Sequence, residues 1–222
     1  MKKFSLILIA AVLTASAALA EEVYSQNAVG FINKTIEGGK FACLSFPFVD
    51  MTATNNLVEF DKTDLALNSK PGAIVYFWND TSWKSVPRRA NGFNTRTFLK
   101  PGEMFMYKPA ETETITICGE VPDASTIECD VVGGGNLTAG ANPYPVSFEF
   151  DKSGIASNST AGAIFYYWDE VNAGWKSIPR RANGFNTKYT VKPGEGFMLK
   201  SGSAAASTVW TVERPYDFPA EK

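Results

Sequence analysis

Short apolar runs alternate with turn residues along nearly the whole chain, and no window keeps a 3.6-residue apolar period for long. That pattern predicts strands with little helix. Gly72 to Trp78 is a continuous β-branched and aromatic run bounded by Pro71-Gly72 and Asn79-Asp80, which reads as a strand covered on both faces. Trp83 to Val86 returns as its hairpin partner. Asn91-Gly92 carries the signal of a type I′ turn, because both central residues there need positive φ. Lys100-Pro101-Gly102-Glu103 reads as a second turn, and Met104 to Tyr107 with Thr114 to Cys118 as a closing strand pair. Ala28 to Asn33 and Lys40 to Phe48 open the series, echoed weakly at Thr126 to Val132 and Asn136 to Val146.

The pattern occurs twice. Pro87 to Thr95, Pro-Arg-Arg-Ala-Asn-Gly-Phe-Asn-Thr, returns unchanged as Pro179 to Thr187, and Trp83 to Lys108 aligns with Trp175 to Lys200 without a gap. Upstream, Phe60-Asp61-Lys62 matches Phe150-Asp151-Lys152, and Gly72 to Trp78 matches Gly162 to Trp168. Between the matched blocks Asn79–Ser82 becomes Asp169–Gly174, two residues longer, as a surface hairpin tip tolerates. Short strands and frequent turns within each copy point to sandwiches or barrels. The expected architecture is all-β: two homologous sandwich- or barrel-like lobes, about 21–122 and 123–222, packed together. Gly119-Glu120-Val121-Pro122-Asp123 offers no long flexible linker between them. One domain of two halves sharing a single core is the other arrangement.

Residues 1–20 read as an export signal: Lys2 and Lys3, an apolar run from Phe4 to Leu13, and Ala18-Leu19-Ala20 before the cut. Removing those two lysines takes the formal charge from −2 to −4. Mild acidity argues against a nucleic-acid partner, which needs clustered Lys and Arg. No later stretch is apolar enough for a membrane span. The mature protein is expected to be soluble, in a periplasm or outside the cell. That compartment permits disulfides, and among Cys43, Cys118 and Cys129 the preferred bridge is Cys118–Cys129, with Cys43–Cys129 as the rival.

Histidine is absent from the sequence, which excludes Ser-His-Asp triads, Cys-His dyads and imidazole metal sites. The cysteines lack zinc spacing and no glycine-rich phosphate loop occurs, so no metal and no cofactor is expected. Carboxylates recur at equivalent places, Glu103 with Glu195 and Asp61 with Asp151. A glycosidase pair would have to meet across the lobes, and Glu after Pro-Gly reads more simply as a solvated turn residue.

The candidate ligand contacts are Trp83 and Arg88 in the first copy, with Trp175 and Arg180 in the second. Guanidinium groups grip carboxylates or sulfates with paired hydrogen bonds and stack on aromatic rings. Adjacent arginines on a strand point to opposite faces, so one of each pair shares a surface with the aromatics. Set against this, each Arg can pack over an aromatic and pair with Asp61 or Glu103, and Trp78 and Trp168 read as core.

Val23-Tyr24-Ser25-Gln26-Asn27-Ala28-Val29-Gly30-Phe31-Ile32-Asn33, Tyr76-Phe77-Trp78, Lys100 to Phe105 and Gly119 to Pro122 carry a resemblance. Together they resemble a group of secreted proteins of unknown function from Verrucomicrobia, Lentisphaerae and Planctomycetes. In that group an NAVGY-N opening, a Y-W hairpin, a PGEGFF turn and a GEVP ending recur in order. The second copy departs from it, lacking a clear NAVGY opening and ending in Val212-Glu213-Arg214-Pro215. The resemblance implies an exported β-protein and no activity. The expected function is a non-enzymatic structural or interaction protein of the cell envelope or extracellular space, with self-association or a cell-surface or glycan partner. The alternative is a carbohydrate-binding module.

Overall fold

The apolar runs form strands throughout the structure, a computed structural model that describes residues 28–49 and 57–217. The export segment at 1–20 lies outside the described residues. The first copy runs β1 (Val29–Ile36), β2 (Ala42–Ser45), β3 (Val58–Glu59), α1 (Asp64–Asn68), β4 (Ile74–Trp78), β5 (Trp83–Arg89), β6 (Gly92–Phe93), β7 (Phe98–Leu99), β8 (Met104–Lys108) and β9 (Glu113–Glu120). The second repeats that order: β10 (Thr126–Val131), β11 (Leu137–Ala141), β12 (Phe148–Glu149), α2 (Gly154–Ser157), β13 (Ile164–Asp169), β14 (Gly174–Arg181), β15 (Gly184–Phe185), β16 (Thr190–Val191), β17 (Gly196–Lys200) and β18 (Thr208–Glu213).

Each copy builds a five-stranded antiparallel sheet, β2-β8-β4-β5-β6 in one and β11-β17-β13-β14-β15 in the other. A two-stranded ribbon, β1-β9 or β10-β18, and a short pair, β3-β7 or β12-β16, complete each lobe. The fold is therefore all-β with two lobes.

Each lobe closes over its own aromatic centre. Phe60, fully buried, meets Phe77, Phe93 and Phe105 edge-to-face with centroids 5.1–5.6 Å apart. Phe150 holds the same place against Phe165, Phe185 and Phe197. Tilted and offset rings of this kind gain quadrupole attraction beyond the burial of their area. A third cluster lies between the lobes: Cys43, Met104 and Met106 from the first, Ala141 and Met198 from the second, with Trp78, Trp83, Trp168 and Trp175 packed against them. Two private cores and one shared seam thus replace the choice between separate domains and a single core. The seam explains why β4 is apolar on alternate faces: Val75 and Phe77 enter the lobe core, while Tyr76 and Trp78 turn to the seam.

Two local expectations are corrected. Arg89 pairs with Gly92, so Ala90 and Asn91 form the hairpin loop. Positive φ falls on Gly92 (108°) and not on Asn91, in place of a type I′ turn centred on Asn91-Gly92. Second, β8 and β9 do not pair with each other: β8 lies between β2 and β4, while β9 crosses to the ribbon and pairs with β1. The crossing comes at Pro109, whose missing N–H suits the end of a strand; its carbonyl accepts from Gly39 N at 2.8 Å. The short helices α1 and α2 are the small helix content the pattern allows. Their signal was a hydroxyl N-cap at the same place in both copies, Thr63 Oγ1 accepting from Ala66 N and Ser153 Oγ from Ala156 N, each at 3.3 Å.

Candidate functional site: the seam between the lobes

Each lobe lends its Pro-Gly turn to the other. Ser45 N on β2 donates to Gly194 O at 3.0 Å, and Ala141 N on β11 donates to Gly102 O at 2.7 Å. Isolated bridges join Leu44 with Glu195 and Gly140 with Glu103. The two contacts are equivalents, so the lobes pair within one chain as the subunits of a two-fold dimer do. Near the centre of this arrangement stand Met104 and its equivalent, Gly196. A Cβ built on Gly196 would lie 2.5 Å from Met104 Cβ and 3.2 Å from Leu44 O, so a side chain on one lobe fills the place left by its absence on the other.

The sequence-selected tryptophans belong to this seam. Trp83 packs edge-on against Trp78 at 5.2 Å, and Trp175 against Trp168 at 5.5 Å. Arg88 lies elsewhere. Five positions along one strand reverse the face, so Arg88 shares the side of core residue Val86 while Trp83 faces the seam. The Arg88 guanidinium donates to Leu67 O at the end of α1 and to Arg89 O, both at 3.2 Å. Arg180 donates to Arg181 O at 3.3 Å. Backbone carbonyls, rather than Asp61 or Glu103, are the acceptors. Trp83 with Arg88, and Trp175 with Arg180, are thus not brought together on one surface.

The Cys118–Cys129 bridge is not formed, and all three thiols are free. Cys118 sits on the outward face of β9, where its thiol donates to Asp64 Oδ2 at 2.7 Å. That bond, and then burial, push its pKa up to about 11. Cys129 sits at the seam against Gly102, and burial pushes its pKa up to about 12. The two side chains serve different faces of the molecule. Cys43 is buried within the seam cluster, and burial raises its pKa strongly.

The two ends of the seam differ. At the lobe 2 end, Tyr189 stacks on Tyr167 at 4.1 Å and its hydroxyl donates to Glu195 Oε1. Glu195 Oε2 accepts from Lys192 N at 2.9 Å, Trp168 Nε1 donates to Phe41 O at 3.0 Å, and Lys34 on β1 pairs with Glu170 in the longer hairpin tip. At the lobe 1 end Thr97 stands in place of Tyr189, and Phe77 in place of Tyr167. Glu103 keeps the turn-closing bond from Lys100 N at 2.8 Å. Burial raises its pKa, against the pull of that bond. Trp78 Nε1 is buried without an acceptor. A cleft of about 340 Å³ opens here, lined by Trp78, Asp80, Thr97 and Glu103 from lobe 1 and by Glu128 and Asp130 from lobe 2. Asp80 holds a positive φ of 67°, an uncommon conformation for a residue other than glycine.

Comparison of the chain with family models, with curated proteins and with solved structures found no match. The site is therefore read from its own chemistry. No group of His, Cys, Asp and Glu among the described residues is arranged to hold a metal ion, and no helix among them is long and apolar enough to cross a membrane.

The ribbons add a second contrast, which the sequence reading missed. The outward face of β1 presents Val29 (61% exposed) and Phe31 (69% exposed), with Cys118 directly across from Phe31. Ile32 and Cys129 both lie at the other lobe's Pro-Gly turn, and that equivalence places Thr126 and Glu128 of β10 opposite Val29 and Phe31 in the repeat. At these two strand positions the surface is apolar in one copy and polar in the other, while Val209 of β18, 45% exposed, lies across from Asp130 on the lobe 2 face.

Proposed function

We propose that the chain is an exported, non-enzymatic interaction protein that works as one two-lobed body and associates with a second copy of itself through the outward face of β1. The carrying observation is the exposure of Val29 and Phe31, where the equivalent ribbon has Thr126 and Glu128. Exposed apolar side chains on an outer strand favour contact with another chain. Two strand positions that are apolar in one lobe alone suit an isologous pair, because the acidic ribbon of lobe 2 then stays in water and pairing stops at two. Export is supported by the reading of residues 1–20. A non-enzymatic role is supported by four of the duplicated side chains, which bond to backbone: Glu103 and Glu195 close their own turns, and Arg88 and Arg180 donate to carbonyls.

Sedimentation velocity of the mature chain across a range of concentrations tests this. A monomer–dimer equilibrium is expected, weakened about tenfold, or ~1.4 kcal/mol, in Phe31→Ser. A chain that stays monomeric throughout, or a dimer indifferent to Phe31→Ser, would overturn the reading.

A further inference from the structure

Deepening the reading as a non-enzymatic interaction protein, we infer that the cleft at the lobe 1 end of the seam binds a neutral, hydroxyl-rich ring: a pyranose sugar of one or two units. The repeat supplies its own template for this ligand. At the other end the equivalent place holds Tyr189, a flat ring lying on an aromatic neighbour and donating its hydroxyl to Glu195. On the lobe 1 side Glu103 persists as the acceptor and Phe77, itself almost wholly buried, borders the cleft, but position 97 is a threonine and the tip is two residues shorter. The cleft is thus built to receive a ring with a hydroxyl, and the chain leaves it open.

Its size and polarity narrow the class. About 340 Å³ falls at the lower end of the range for ligand pockets, about 300–1,000 Å³. Glu103 Oε2 is held by Lys100 N, and Asp130 is paired with Lys100 Nζ at 3.1 Å, which leaves Glu103 Oε1, Asp80 and Glu128 as acceptors. Several acceptors around one cleft call for a ligand with several hydroxyl donors, which a phenol lacks. An anion is repelled by the same carboxylates. An organic cation would meet the charge alone, whereas each sugar hydroxyl both donates to a carboxylate and accepts in turn. Glu103, partly withdrawn from water, regains through such a hydroxyl the hydrogen bonding that burial removes.

The test is titration of the mature chain with cellobiose, maltose and N,N′-diacetylchitobiose, followed by calorimetry, with p-cresol and spermidine as the competing classes. Saturable binding of at least one disaccharide is expected. It should weaken at least about tenfold in Thr97→Tyr, which fills the cleft as Tyr189 fills its twin, and by a similar factor in Glu103→Ala. Circular dichroism establishes that both variants fold. Binding of none of the sugars, binding indifferent to Thr97→Tyr, or binding confined to p-cresol or spermidine each overturns the assignment. Sedimentation of Thr97→Tyr should match the parent. Loss of the dimer in Phe31→Ser with sugar binding intact would keep the two readings apart.

Discussion

The lobe 2 end of the seam is closed by its own side chains, while the lobe 1 end, built on the same strands and turns, is open. Tyr189 on Tyr167, Trp168 on Phe41 O and Lys34 on Glu170 close the first. Their counterparts at the second end are Thr97, Phe77, an unpaired Trp78 Nε1 and a shorter tip. Because the fold is held constant, the difference shows that openness is a property of a few side chains and not of the architecture. A duplicated chain carries its own control: the same strand order stands under two different sets of side chains.

That comparison can be broken or sharpened by substitution. The largest effect is expected where the copies interlock. Met104→Ala removes a fully buried side chain from the seam and should cost about 2–5 kcal/mol in urea unfolding. Gly196→Ala should cost about 1–3 kcal/mol by overpacking the same place from the other side. Combining Gly196→Met with Met104→Gly exchanges the roles of the two lobes, and recovery of much of the loss would support the two-fold pairing. A double variant as unstable as the sum of its parts would count against it.

Tyr189→Thr copies the open end onto the closed one. Since Tyr189 is only half-buried, the cost should be about 2 kcal/mol, below the 3–5 kcal/mol of a fully buried aromatic. Thermal unfolding measures it, and an unchanged midpoint would mean that Tyr189 closes nothing.

Smaller effects come from charge. Lys34→Ala should cost at most about 1 kcal/mol, less in high salt, because Glu170 is well exposed. The two ends should also differ in pH response. Glu103 has a raised folded-state pKa, so the stability it contributes is full below its ordinary value of 4.5 and is lost as pH rises through the raised one. Glu103→Gln, which keeps an acceptor for Lys100 N, should therefore gain on the parent in melting temperature between pH 4 and pH 7. Asp169, at the longer tip, has the opposite sign. Lys176 and Asn172 hold its carboxyl well below the usual range, so its contribution is present above the ordinary 3.8 and lost as pH falls further. Asp169→Asn should thus lose on the parent at pH 7 and converge with it in strong acid.

Alternation and repetition made the strands, the duplication and the two lobes legible in the sequence. The apolar run from Gly72 to Trp78 even implied that its second face is covered. It did not say by what, because the cover is the other lobe and no local signal encodes contacts such as that of Trp168 with Phe41, 127 residues apart. The same limit undid the pairing of β8 with β9 and of Cys118 with Cys129: nearness in sequence suggested partners that the ribbon crossing separates. Trp83 and Arg88 were misjudged as one surface, although strand parity alone places residues five apart on opposite faces. The open cleft was visible only as single mismatches between copies, Thr97 against Tyr189 and Phe77 against Tyr167. Without the seam, nothing marked those mismatches as meaningful.

The seam is also rich in sulfur. Met104, Met106, Met198 and Cys43 are almost wholly enclosed there. A thioether shut away from water resists peroxide, and once oxidised to the polar sulfoxide it no longer suits an apolar contact. The rate at which these methionines oxidise therefore clocks how often the lobes part, and each parting that is caught would be recorded chemically and would hinder reclosure.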